Sequence, residues 1–128
     1  MADRIARHRS ERGGDWTTLE VPLDVPSVLS QTASAQTVIV VDCLTVWLAN
    51  LMHHAHNVAG ASDALVHALS TLAGPVILVS NEVGLGLVPE TPLGRAFRDA
   101  QGRLNQQLAA VCDRVELIAA GLPCVLKG

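Results

Sequence analysis

The chain has 128 residues, 49% apolar and 16% charged, with a formal net charge of −3. That length suits one domain with ample apolar material for a core, and the acidic balance argues against nonspecific nucleic-acid binding, which needs a cationic surface. No run reaches the ~18 apolar residues of a membrane span, and the charged opening from Met1 to Glu11 lacks the apolar centre of a secretory signal.

Residues 1–11 read as a short charged helix, broken at Arg12-Gly13-Gly14-Asp15. Trp16 to Val21 alternates in polarity and predicts a strand. Asp24 is a candidate cap for a short helix to Leu29. Thr37 to Asp42 is the clearest strand, and its four consecutive apolar residues predict burial on both faces, as in a parallel sheet. Leu44, Trp47, Leu48 and Leu51 have helical spacing, which predicts a helix over 44–53. His53 to Gly60 reads as a polar loop, and Ser62 as the cap of a helix running to about Leu72. Pro75 to Ser80 is a second buried strand. Thr91 caps a helix with Pro92 in its first position. An apolar stripe of Leu93, Phe97, Ala100, Leu104, Leu108 and Val111 carries that helix on. Arg114–Ala119 and Pro123–Lys127 predict a closing hairpin.

Strands alternating with helices imply a three-layer α/β domain with a mostly parallel sheet, as one unit over 1–128. Ligands bind such sheets at the carboxyl ends of the strands. Here those ends carry Asp42, Asn81 and Glu82. Cys43, Cys112 and Cys124 are odd in number and scattered, which fits buried thiols in a reducing cytoplasm.

The chemistry concentrates at four places. Asp42 either holds Mg²⁺ beside a nucleotide phosphate or caps the helix that follows; both roles are compatible. Asn81 and Glu82 precede Gly84 and Gly86, glycines that let the backbone pass close to a ligand. Arg95 and Arg98 share a helix face and have the forked donors that grip phosphate, or else they line a solvated face. His8, among Arg7, Arg9 and Arg12, is a competent nucleophile toward an α-phosphorus, or an exposed histidine on a basic helix. His53, His54 and His56 have no familiar zinc spacing. No Gly-x-x-x-x-Gly-Lys-Ser/Thr loop occurs.

Four motifs carry a resemblance. They are Arg4-Ile5-x-x-His8-x-x-x-Arg12-x-x-x-Trp16-x-x-x-Glu20, then Val41-Asp42-Cys43-Leu44-Thr45 with Trp47-Leu48-x-Asn50-Leu51. Next comes Ser80-Asn81-Glu82-Val83-Gly84-x-Gly86-x-Val88-Pro89, and last Gly94-Arg95-x-Phe97-Arg98-Asp99-x-x-Gly102-Arg103-Leu104-Asn105-Gln106. Together they resemble the bifunctional adenosylcobinamide kinase/adenosylcobinamide-phosphate guanylyltransferase family of cobalamin biosynthesis. The resemblance implies a P-loop NTPase fold of RecA-like type. It implies phosphorylation of adenosylcobinamide by ATP or GTP with Mg²⁺, then GMP transfer from GTP to adenosylcobinamide phosphate through a guanylylated histidine. The family histidine falls on His8. Guanine-nucleotide contacts fall on Arg9, Ser10, Glu11, Arg12, Glu20 and Asp42, and Asn81, Glu82, Arg95 and Arg98 are expected near phosphate or corrinoid. A cytoplasmic homo-oligomer is implied. Family members open with a phosphate loop, so the chain is expected to be truncated ahead of His8 and to lack the cradle for β and γ phosphates. The competing expectation is a non-catalytic remnant or interaction module of the same fold.

Overall fold

The computed structural model describes residues 2–128, apart from the side chains of Ala2, Arg4, Ile5, His8 and Arg9. In chain order the elements are α1 (Ala2–Glu11), α2 (Val25–Thr32), β1 (Ile39–Asp42), α3 (Leu44–His53), α4 (Val58–Thr71), β2 (Val76–Val79), α5 (Pro92–Val111), β3 (Val115–Ala119) and β4 (Leu122–Lys127). β1 and β2 pair in parallel with Ile39 opposite Val76 and Asp42 opposite Val79. β3 and β4 form a separate antiparallel hairpin.

Local chemistry fixes the helix starts. The Asp24 carboxylate accepts from Ser27 N–H, Asn57 from Gly60 N–H and Thr91 from Gly94 N–H, each meeting an otherwise orphaned donor of the first turn. Asn57 therefore starts α4, not Ser62. Ser62 lies buried within α4 and returns its hydroxyl to the Val58 carbonyl at 2.8 Å. Trp16 to Val21 forms no strand. Its alternation finds no neighbouring strand to pair with, and Trp16 and Leu19 stay exposed.

The core is aliphatic around one indole. Val25 and Leu29 of α2, Leu44, Trp47 and Leu51 of α3, Leu65 of α4, and Leu104 and Leu108 of α5 form one cluster, with Ile39, Val41, Val76 and Leu78 of the sheet packed against it. These alternate strand positions mark the sheet face that meets the helices. The opposite face carries Ile77 and Val79, which are 53% and 39% exposed. The α/β class and the parallel pair stand, but among the described residues helices cover one sheet face, not two. Val38 to Val41 are accordingly exposed or half-buried, and the expected burial on both faces does not hold. The α5 stripe is buried only at its middle. Leu93 and Val111, at its two ends, are exposed.

The hairpin turns through two residues with positive φ, Ala120 and Gly121, the handedness that matches strand twist. Lys127 Nζ donates to the Ala109 and Ala110 carbonyls, both at 3.0 Å, closing acceptors that α5 leaves open. No helix among the described residues is long and apolar enough to cross a membrane.

Candidate functional site

The carboxyl ends of β1 and β2 lie side by side, because Asp42 and Val79 are register partners. Asp42 is exposed, and its carboxylate does not cap α3. The N-cap is Cys43, which makes no side-chain capping bond. Asp42 faces Arg12 instead, with guanidinium and carboxylate 3.6 Å apart. That contact sets the end of the amino-terminal helical segment against the end of β1. Within α1, Arg7 Nε donates to Glu11 at 2.9 Å and Ser10 Oγ donates to the Arg7 carbonyl at 2.8 Å. His8 and Arg9, the nucleophile and phosphate ligand expected from sequence, have side chains outside the described set. Glu20 lies exposed on the segment that leads into α2.

That segment is strapped to α3. Trp47 Nε1 donates to the Leu23 carbonyl at 2.7 Å, and Asn50 Nδ2 donates to the Pro22 carbonyl at 3.2 Å. The i, i+3 spacing on α3 brings both donors to one face. This gives the Trp47-Leu48-x-Asn50 motif a physical meaning: two side chains that hold the chain just after Glu20.

The end of β2 is held from both sides. Asn81 N–H donates to Thr45 Oγ1 at 3.0 Å, and the Asn81 carbonyl accepts from Asn105 Nδ2 at 3.2 Å. Ser80 Oγ donates to Asn105 Oδ1 at 2.7 Å. Gln101 Nε2 lies beneath this pair and donates to Ser80 Oγ at 2.9 Å and to Asn105 Oδ1 at 3.0 Å. Both main-chain polar groups of Asn81 are thus occupied, while its side chain and that of Glu82 stay at the surface. Glu82 folds onto its own loop, accepting from Gly84 N–H at 2.5 Å. A Cβ at Gly84 would sit 2.7 Å from that same carboxylate oxygen, so a side chain there would push the Glu82 carboxylate aside.

Arg95 and Arg98 are engaged with main chain. Arg95 Nη1 donates to the Pro89 and Glu90 carbonyls at 3.0 and 2.9 Å. Arg98 Nη2 donates to the Gly84 carbonyl at 2.7 Å. The two guanidinium groups fold the 84–90 loop onto the start of α5. Leu85, Leu87 and Val88 project from that loop, Leu87 almost fully exposed. No cluster of three metal-binding side chains occurs among the described residues. His53 and His54 meet edge to face with ring centroids 5.0 Å apart.

Thr45, Ser80, Gln101 and Asn105 drew no role from the sequence. One signal was legible. Gln101 sits in the apolar phase of α5, four residues after Phe97 and three before Leu104, where a polar side chain must find buried partners.

Residues 1–126 match the family described as cobinamide kinase / cobinamide phosphate guanyltransferase. The bifunctional adenosylcobalamin biosynthesis protein CobP of Pseudomonas aeruginosa is 45% identical over 130 residues, spanning 100% of this chain and 75% of that protein. The bifunctional adenosylcobalamin biosynthesis protein CobU of Escherichia coli is 32% identical over 145 residues, spanning 99% of this chain and 78% of its own length. The CobU of Salmonella typhimurium matches to the same extent. A match that runs through the strand-end motifs and nearly the whole length shows that the chain belongs to the cobinamide kinase / cobinamide phosphate guanyltransferase family.

Proposed function

We propose that these 128 residues form one nucleotide-binding unit that transfers GMP from GTP to adenosylcobinamide phosphate, in a protein that also phosphorylates adenosylcobinamide. His8 is the nucleophile. Its neutral imidazole attacks the α-phosphorus of GTP, a P–N bond forms, the α–β P–O bond breaks, and pyrophosphate leaves. The phosphate oxygen of adenosylcobinamide phosphate then attacks the same phosphorus, and the P–N bond breaks to return the imidazole. Arg9 and Arg12 bind the triphosphate. Ser10, Glu11 and Glu20 hold the nucleotide, and Asn81, Glu82, Arg95 and Arg98 border the phosphate and corrinoid.

Asp42 suits Mg²⁺. It is an exposed single carboxylate at a strand end, and this ion characteristically takes one or two carboxylates plus phosphate oxygens. Bound there, Mg²⁺ would neutralise phosphate charge. None of these residues forms a Gly-x-x-x-x-Gly-Lys-Ser/Thr loop, the usual cradle for β and γ phosphates. A cytoplasmic homo-oligomer completes the reading.

The observation that carries the proposal is the contact between Arg12 and Asp42 at 3.6 Å. It brings the segment four residues after His8 to the strand end where an α/β sheet binds its ligand. The test uses protein expressed from its complete reading frame, incubated with Mg²⁺ and GTP labelled at the α-phosphate. An acid-labile label on the peptide containing His8, absent in His8→Ala, is expected. Label that persists in His8→Ala removes the assigned nucleophile.

A further inference from the structure

Gln101 is fully buried, at 0% exposure. Its Nε2 makes the two hydrogen bonds to Ser80 and Asn105, while its Oε1 has no partner among the described residues. An unpaired buried acceptor weakens a fold. Packing alone would be served as well by a methionine, which has similar volume and no polar atom to desolvate. The amide is therefore poorly explained by the core around it. It is well explained by the surface above it, because every bond it makes leads toward the end of β2. Ser80 is the first residue past that strand, and Asn105 carries the Asn81 carbonyl.

We infer that Gln101 is a positioning residue that acts through Ser80 and Asn105 to hold Asn81 and Glu82 in one orientation toward the acceptor substrate. The chain of contacts has a definite logic. Asn105 must present Oδ1 to Ser80 and Nδ2 to the Asn81 carbonyl. A free asparagine amide can turn over and exchange the two. The second donor from Gln101 Nε2 to Oδ1 removes that freedom. Thr45 fixes the other side of Asn81 from α3, so the strand end is clamped between two helices. The inference rests on the transferase reading only for what the strand end faces.

The experiment compares Gln101→Met, Asn105→Ala and the double variant. In Gln101→Met the melting temperature is expected to stay at or above that of the parent, because the orphaned oxygen is gone. The backbone order parameters of Asn81 and Glu82 are expected to fall from about 0.85 to below about 0.6, while those in α4 hold. The double variant should be no more mobile there than Asn105→Ala alone, since Gln101 and Ser80 both bond Asn105 Oδ1 and the two arms meet at that residue. Self-guanylylation by GTP should be retained, and GMP transfer to the acceptor should fall by about tenfold or more, as expected when an orienting group is misplaced.

Unchanged order parameters at Asn81 overturn the inference. So does loosening spread evenly through α4 with a lower melting temperature, which is the mark of a packing role, and so do independent, additive effects of the two substitutions. A parent protein that never self-labels sinks the transferase reading instead, and the order parameters still decide on Gln101.

Discussion

Trp47→Phe tests the strap between α3 and the segment carrying Glu20. Trp47 is 3% exposed, and its Nε1–H closes the Leu23 carbonyl at 2.7 Å. Phenylalanine keeps an aromatic ring but removes the donor and part of the volume. A half-buried carbonyl left without a partner costs about 1–2 kcal/mol, and the gap left by the smaller ring costs about 1–2 kcal/mol more. The sum, about 2–4 kcal/mol, is a large share of a small domain's stability, and corresponds to about 8–16 °C in melting temperature at this size. Urea unfolding followed by far-ultraviolet circular dichroism measures it without relying on the removed indole. Asn50→Ala is the control. Its bond to Pro22 is longer, at 3.2 Å, and solvent-exposed, so less than about 1 kcal/mol should be lost. Equal losses from the two substitutions would refute the reasoning, because the indole N–H would then contribute nothing beyond what water can replace.

Two further expectations follow from side-chain environments. Arg12→Gln should lower stability by less than about 1 kcal/mol, because both partners of its pair with Asp42 are well exposed and solvent screens the attraction; a larger loss in urea would mean the contact is more than a surface pair. Burial pushes the Cys112 thiol above its ordinary 9.0, against the lowering pull of Lys127, with Asp113 adding to the rise. The folded state thus keeps the proton longer than the unfolded chain does. The stability tied to this group is complete below pH 9.0 and is lost as pH rises through the folded value. Unfolding curves across that range should show a steeper alkaline loss for the parent than for Cys112→Ala, and parallel curves would contradict the assignment.

The sequence by itself determined the elements whose signals are local. Helix 44–53 was legible from its apolar spacing, and α5 from Thr91 and Pro92, because periodicity and capping act within one or two turns. The strand-end placement of Asp42, Asn81 and Glu82 followed from alternating strands and helices. Where several residues compete for one local role, the sequence misled. Ser62 looked like a cap, yet Asn57 caps and Ser62 is enclosed. Trp16 to Val21 had the alternation of a strand, but a strand also needs a neighbour to pair with.

Only the tertiary structure decided what the polar side chains around those strand ends do. Arg95 and Arg98 share a helix face that the sequence shows, but that both also hold carbonyls of the 84–90 loop is visible only once the chain is folded. Asn105 and Thr45 lie far from Asn81 in sequence and meet it only after α3 and α5 pack beside the sheet. The reason is physical. Helix and turn signals depend on neighbours a few residues away, whereas a hydrogen-bond partner 24 or 36 residues distant is chosen by where packed elements come to rest.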